Sequence, residues 1–148
     1  MPNDLNAGPT DCHAVSDGKY VYVIGGRLDN RTVKTMYGLS LKTFKWSTMA
    51  SMGTARYNFA IVLHGGYIYV LGGDGGDGYD TAERYSIVYN IWEVLPHAVS
   101  TRSRFGNLAF TLDSDIYNMG DHLTLDIFDT VSLRCKAVKN LANLPEVR

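Results

Sequence analysis

The segment 72–80 reads GGDGGDGYD and fits the nine-residue GGxGxDxUx signature of calcium-binding repeats at every fixed position. Sites of that kind are built from copies that recur every nine residues, because neighbouring turns share each ion. No second copy stands beside this one, and its double glycine has a counterpart 47 residues earlier, at Gly25-Gly26. We therefore interpret Asp74–Asp80 as a loop between two strands and predict no calcium site.

Other residues with chemical potential show no catalytic or metal-binding spacing. His13, His64, His97 and His122 share no ligand pattern, so we predict no metal and no cofactor. Cys12 stands next to His13, but adjacent residues of a strand point to opposite faces, and nothing marks a group that would orient the histidine. We expect no catalytic residue.

Charge and composition exclude several classes of protein. The 148 residues include 14 basic and 15 acidic ones without a run of either sign, so we expect no binding to nucleic acid or to a membrane surface. The N-terminal residues lack a signal-peptide pattern, and no long apolar window occurs, which indicates a soluble cytoplasmic protein with reduced thiols. Fifteen glycines and ten tyrosines without helical periodicity predict strands joined by turns.

An internal repeat organises these strands. KYVYVIGG at 19–26 returns as YIYVLGG at 67–73 and, weakened, as DIYNMGD at 115–121. Landmarks of several residue types keep a period of 46 to 48: Tyr22, Tyr69 and Tyr117; Gly25, Gly72 and Gly120; Tyr37 and Tyr85; Trp46 and Trp92; Arg56 and Arg104. Such a period indicates a solenoid, a propeller or another array.

The central repeat divides into four predicted strands. Residues 57–64 and 67–71 flank the turn Gly65-Gly66, and residues 81–88 and 92–95 flank the turn Tyr89-Asn90. Each repeat is therefore expected to form one four-stranded antiparallel sheet. Trp46 and Trp92 occupy matching positions, and we predict that they pack one sheet against the next.

A strand ending in two glycines, followed by Tyr, then Trp, then an Arg opening the next unit, resembles the kelch repeat. The resemblance implies an all-β fold of three kelch-type propeller blades, covering 1–148 with approximate repeats 9–55, 56–103 and 104–148. The third copy departs from the pattern, with Gly120-Asp121, Phe128 and Cys135 in place of the double glycine, the Tyr and the Trp.

The arginines that open the second and third repeats are the candidate binding residues. The resemblance implies that Arg56 and Arg104 lie near a central channel, where arginines of some relatives bind acidic peptides. Tyr57 and Phe105 follow them directly, and Arg102 adds another positive charge; no acidic residue flanks either arginine. We predict an arginine rim that binds an acidic segment of a protein partner. The alternative is that each arginine hydrogen-bonds loop carbonyls between blades.

The resemblance implies a non-enzymatic protein–protein interaction module or scaffold. Two alternatives are a structural subunit of a larger assembly and a propeller enzyme such as a sugar mutarotase or an oxidase. Propellers close with four to eight blades, so three blades predict either two chains forming a six-bladed ring, docking in a larger complex, or a piece of a longer polypeptide.

Overall fold

The computed structural model describes residues 8–75, 81–96, 108–119 and 124–140, with the backbone alone for 137–140. All regular elements in these residues are β-strands, as the composition predicts. They are β1 (His13–Ser16), β2 (Tyr20–Ile24), β3 (Arg27–Leu28), β4 (Arg31–Thr32), β5 (Met36–Ser40), β6 (Trp46–Thr48), β7 (Ala60–His64), β8 (Tyr67–Leu71), β9 (Ala82–Ser86), β10 (Ile91–Leu95), β11 (Leu108–Leu112), β12 (Asp115–Met119), β13 (Thr124–Asp129) and β14 (Arg134–Asn140).

Three four-stranded antiparallel sheets follow one another along the chain. Blade 1 has the strand order β1-β2-β5-β6, blade 2 has β7-β8-β9-β10, and blade 3 has β11-β12-β13-β14. A small hairpin, β3–β4, fills the connection between β2 and β5. The prediction of one antiparallel meander per repeat is confirmed, including the degenerate third copy.

The strand register corrects one of the sequence equivalences. Val70 of β8 pairs with Glu83, and Val23 of β2 pairs with Tyr37, so Tyr37 lies at the position of Glu83. Tyr85 corresponds instead to Leu39, because each faces the tryptophan of its own blade across the last strand pair. Tyr37 and Tyr85 are therefore not equivalent. The connection between β2 and β5 differs in length from the one between β8 and β9. The number of residues between Tyr37 and Tyr85 therefore does not reflect their positions in the two sheets.

Each sheet has two faces. The face that packs against the next blade in the chain is called the front face, and the face on the side of the preceding blade is called the back face. On blade 2, Ala60, Val62 and Tyr69 belong to the front face and pack with blade 3, while Ile68, Val70 and Tyr85 belong to the back face and pack with blade 1. Both interfaces bury apolar side chains completely. The core of the described structure thus lies between the blades, where alternate residues of each strand are removed from water.

The double glycines are required by the close approach of backbone. Gly73 has φ 100°, and a Cβ atom there would lie 2.8 Å from the carbonyl oxygen of Tyr57. Gly25 has φ 61°, and a Cβ atom there would lie 2.5 Å from the carbonyl oxygen of Arg56. Both conformations are left-handed, so glycine relieves backbone strain as well as crowding. This confirms that Gly72-Gly73 are blade glycines, whereas residues 76–80 of the calcium-like segment lie outside the described residues.

The two tryptophans have different surroundings, although their positions in the register match. Trp92 is half-buried and donates its indole N–H to the carbonyl of Ala50 in blade 1 at 2.8 Å, and its ring packs on Tyr85 at 5.3 Å. Trp46 is also half-buried but lies on the back face of blade 1. Trp92 therefore joins two blades as predicted, while Trp46 has no preceding blade among the described residues.

Candidate functional site

Arg56 stands in the linker between β6 and β7 and is completely buried. Its guanidinium donates to the carbonyls of Gly72 at 2.6 Å and Thr81 at 3.1 Å, and to the hydroxyl of Thr81 at 3.0 Å. These acceptors flank the loop between β8 and β9. Arg56 thus holds both ends of that loop against the start of blade 2.

Glu83 of β9 neutralises this buried cation. Its Oε2 atom lies 2.9 Å from Nη2 of Arg56, and both side chains are excluded from solvent. The same carboxylate accepts hydrogen bonds from the backbone N–H groups of Gly53 and Thr54 at 2.6 and 3.3 Å. Burial lowers the pKa of the Arg56 guanidinium, and the charge of Glu83 opposes that shift. One carboxylate therefore satisfies three donors of the linker.

These contacts correct the premise on which the arginine rim was predicted. Arg56 has an acidic partner after all, 27 residues later in the chain, and its side chain is not exposed at a rim. The physical reason is strand pairing, because β9 lies beside β8 and carries Glu83 to the linker. The contacts of Arg56 agree with the structural alternative, in which the arginine binds loop carbonyls.

The other predicted binding residues divide into two groups. Tyr57 is half-buried, and its backbone pairs with Asp74 through two hydrogen bonds of 2.9 and 2.8 Å. Arg102, Arg104 and Phe105 lie outside the described residues. The structure therefore brings Arg56 and Tyr57 together at the start of blade 2, and partner binding by these residues stays a prediction.

The β3–β4 hairpin adds positive charge beside Tyr57, which the sequence reasoning missed. The guanidinium of Arg27 lies over the Tyr57 ring, 5.2 Å from its centroid, within cation–π range. Arg31 and Lys34 of the same connection are exposed, and Asp29 is its one acidic residue. The sequence signal was present, since RLDNRTVK carries three cations in eight residues, but its contact with Tyr57 depends on blade 1 packing against blade 2.

A groove of about 540 Å³ lies at the opposite end of blade 1. The β1–β2 and β5–β6 turns form its walls, with Lys19 and Tyr20 on one side and Leu41 and Lys42 on the other. No local sequence pattern could reveal it, because the two turns are about twenty residues apart in the chain. Lys19 and Lys42 are exposed on these turns, whereas the guanidinium of Arg27 packs against the Tyr57 ring.

Within the described parts of the chain, no group of three or more His, Cys, Asp or Glu side chains is placed to hold a metal ion. His13 instead packs its ring against Phe59 of the next blade, with the ring centroids 4.6 Å apart. Burial lowers the pKa of His13 from its ordinary value of 6.5. A helix able to cross a membrane is not found in these residues either.

Comparison with known proteins agrees with the blade geometry. A family model of the Kelch motif matches residues 9–53 and 55–97, which carry blades 1 and 2. The chain is 34% identical over 110 residues to F-box/kelch-repeat protein At2g29600 of Arabidopsis thaliana, covering 72% of this chain and 26% of the relative. It is 36% identical over 91 residues to Kelch-like protein 41a of Danio rerio, covering 60% of this chain and 15% of the relative.

A viral relative shows a similar extent of matching. Kelch repeat protein C2 of cowpox virus is 31% identical over 108 residues, which are 68% of this chain and 19% of that protein. The chain thus spans about a quarter or less of the length of these curated relatives. The printed names of all three relatives refer to kelch, the motif whose family model matches this chain.

Proposed function

Because the chain belongs to the kelch-repeat family, we propose that it is a non-enzymatic interaction module that binds an acidic segment of a protein partner beside Tyr57. Arg102, Arg104 and Phe105 are proposed to extend this surface. Arg56 has a different part in the proposal: it positions Tyr57 and the neighbouring loop but does not itself contact the partner.

The observation that carries the proposal is the stack of Arg27 on Tyr57. The ring fixes the guanidinium from one side and leaves it half-exposed on the other, where a carboxylate can accept its N–H groups. The exposed cations Arg31 and Lys34 increase the positive potential around this point. A planar aromatic with an ordered arginine is a typical anchor of protein interfaces.

The buried charges support a binding function over a catalytic one. Arg56 and Glu83 neutralise each other and bind backbone groups, so their charge is used to hold the blade together. The connection that contains the β3–β4 hairpin, by contrast, has exposed charged side chains, among them Arg31 and Lys34. Loops that project from a rigid sheet are where binding residues are usually found.

A cytoplasmic location is also part of the proposal. Cys12 and Cys135 are in different blades and are not joined by a disulfide. Thiols of this kind are usual in reducing compartments.

The binding of an acidic probe tests the proposal. A fluorescein-labelled peptide of alternating glutamate and glycine is titrated with the 148-residue chain, and fluorescence anisotropy is measured. Arg27→Ala and Arg31→Ala should each weaken binding about tenfold, which corresponds to about 1.4 kcal/mol. Arg102→Ala and Arg104→Ala should weaken it comparably if the surface extends to them.

Arg134→Ala is the matched control, because Arg134 is exposed at the start of β14 in blade 3. Binding should be unchanged in this variant. An equal loss in Arg134→Ala would indicate nonspecific charge attraction, and no binding by the wild-type chain would contradict the proposed surface. Tyr57→Leu should weaken binding without a change in net charge, since Arg27 would lose its aromatic support.

A further inference from the structure

The residue that follows the double glycine has the opposite charge in blades 1 and 2. It is Arg27 in blade 1 and Asp74 in blade 2. Arg27 pairs with Thr10 as an isolated antiparallel bridge, and Thr10 precedes the first strand of blade 1. Asp74 pairs in the same way with Tyr57, which precedes the first strand of blade 2. The two positions are therefore equivalent, and neighbouring blades differ there in the sign of the charge.

The side chain of Tyr57 lies beside both of these charged residues. The guanidinium of Arg27 is 5.2 Å from the centroid of the ring. The backbone N–H of Tyr57 donates to the carbonyl of Asp74 at 2.9 Å, and the N–H of Asp74 donates to the carbonyl of Tyr57 at 2.8 Å. Directly opposed residues of an antiparallel pair carry their side chains on the same side, with Cβ atoms about 5 Å apart. A cation thus packs on the tyrosine ring, and a carboxylate side chain starts next to the same tyrosine.

Neither charge is neutralised within the part of the chain that the structure describes. Arg27 and Asp74 are both half-buried, and the ion pairs between described residues include neither of them. The nearby guanidinium of Arg56, by contrast, is 2.9 Å from the carboxylate of Glu83. A half-buried charge without a counter-ion is stabilised when a ligand supplies one through a charge-assisted hydrogen bond.

Contacts between blades 1 and 2 fix the relative positions of the two charges. Gly75, the residue after Asp74, lies against the β3–β4 hairpin, because a Cβ atom at Gly75 would be 2.6 Å from Cγ2 of Thr32. At the base of the hairpin, the N–H of Gly26 donates to the carbonyl of Arg56 at 2.9 Å. The hairpin, the linker and the start of the β8–β9 loop are therefore joined into one surface.

We propose that the partner segment that binds beside Tyr57 carries charges of both signs, an acidic side chain for Arg27 and a basic one for Asp74. This inference rests on the proposed function and adds Asp74 as a residue that determines specificity. Alternate residues of an extended segment share one face and lie about 7 Å apart, so an acid and a base separated by one residue can bind on either side of one tyrosine. A purely acidic segment would instead place a second negative charge near Asp74, which disfavours its binding.

Two fluorescein-labelled peptides that differ in one residue type test this inference. The mixed probe repeats Glu-Gly-Lys-Gly, and the reference probe repeats Glu-Gly-Gln-Gly, so both carry the same number of glutamates. Anisotropy titrations with the 148-residue chain should give a Kd for the mixed probe about fivefold below that for the reference probe, as expected for one partly exposed ion pair. Arg27→Ala should weaken the binding of both probes.

Asp74→Asn removes the carboxylate and keeps the size of the side chain. The mixed probe and the reference probe should then bind with equal affinity. Asp29→Asn is the matched control, because it removes one negative charge from the exposed hairpin turn. Asp29 has φ 49°, a conformation that Asn also adopts, so this variant should keep both the fold and the fivefold preference.

The outcomes separate this inference from the proposed function. Equal affinity of the wild-type chain for both probes, with both weakened by Arg27→Ala, would overturn the role of Asp74 and leave the acid-binding surface intact. A preference that persists in Asp74→Asn, or that Asp29→Asn also removes, would overturn that role as well, because net charge would then explain the preference. Absence of binding by both probes would contradict the proposed function and this inference with it.

Discussion

The interface between blades 1 and 2 is tied by hydrogen bonds, whereas the described part of the interface between blades 2 and 3 is mainly apolar. In the first, Asn90 accepts a hydrogen bond from the N–H of Ala50 at 2.9 Å and one from the Tyr85 hydroxyl at 2.8 Å. In the second, Phe128 and Leu133 occupy the positions of Tyr85 and Asn90 and pack without hydroxyl or amide groups. The same sheet geometry thus accepts a polar pair or an apolar pair, provided that both members change together.

The second interface has a buried polar side chain at a position where blade 2 has an apolar one. Asn118 lies at the position of Val70 and is 1% exposed, and among the residues that the structure describes neither its side-chain oxygen nor its nitrogen has a hydrogen-bond partner. Its cross-strand neighbour Asp126, at the position of Glu83, is also buried. An unsatisfied buried amide destabilises the folded state, so the comparison predicts different responses of the two interfaces to substitution.

Breaking the first interface should have the largest effect. Glu83→Ala leaves the buried guanidinium of Arg56 without its counter-charge and removes the acceptor of Gly53 and Thr54, so the free energy of unfolding should fall by about 3–5 kcal/mol. Urea denaturation measures this change. Glu93→Ala is the control, since Glu93 pairs with Arg84 but is 52% exposed, and exposed pairs contribute about 1 kcal/mol or less. Equal losses in both variants would contradict a special role for the buried pair.

The second interface should become more stable when its orphaned amide is removed. Asn118→Val introduces the residue that blade 2 has at the same position, and the free energy of unfolding should rise by about 1–3 kcal/mol. The reciprocal change, Val70→Asn, should lower it by a similar amount because it buries an amide in the first interface. These two variants are compared in the same urea series. A loss of stability in Asn118→Val would show that the amide is satisfied in solution.

The smallest effect concerns pH and the first interface alone. The folded-state pKa of His13 is below its ordinary value of 6.5, so the unfolded chain binds the proton more readily. The contribution to stability is complete above 6.5, falls as the pH decreases through that value, and is lost below the folded-state pKa. Ala60 occupies the same position on blade 2 and cannot titrate, so the second interface should not share this pH dependence.

Melting temperatures between about pH 5 and pH 8, the range in which histidine changes its charge, provide the measurement for His13. The wild-type chain should lose stability on acidification, and His13→Phe should lose markedly less across the same range because the titrating ring is absent while its contact with Phe59 is kept. Identical pH profiles for the two chains would show that His13 does not contribute.

Much of the blade architecture could be predicted because its signals are local. The turn Gly65-Gly66 and the double glycines at 25–26 and 72–73 bound strands that are rich in β-branched and aromatic residues, so β8 is found at the predicted bounds, Tyr67–Leu71. The ends of longer predicted strands were less well placed: the segment 57–64 forms a strand only from Ala60, because Tyr57 pairs with Asp74 as an isolated bridge.

The surroundings of the candidate site were harder to predict. The flanking residues of Arg56 contain no acid, and nothing in a linear sequence distinguishes Glu83 from the other carboxylates. A different sequence signal could have corrected the equivalence of Tyr37 and Tyr85. The residue seven positions before Trp46, Trp92 or Cys135 is its cross-strand partner in the same blade. These partners are Leu39, Tyr85 and Phe128, respectively.

Sequence reasoning was sufficient to predict three repeats, the strand order within each and the positions of the double glycines, because these features depend on strand residues, turn residues and backbone conformations within one repeat. Three features became visible only in the folded chain: the burial of Arg56 against Glu83, the contact of Arg27 with the Tyr57 ring, and the different neighbours of the two matching tryptophans. Those contacts depend on the pairing of distant strands and on the packing of one blade on another. The sequence of one repeat does not indicate which side chains of the neighbouring repeat will lie beside it.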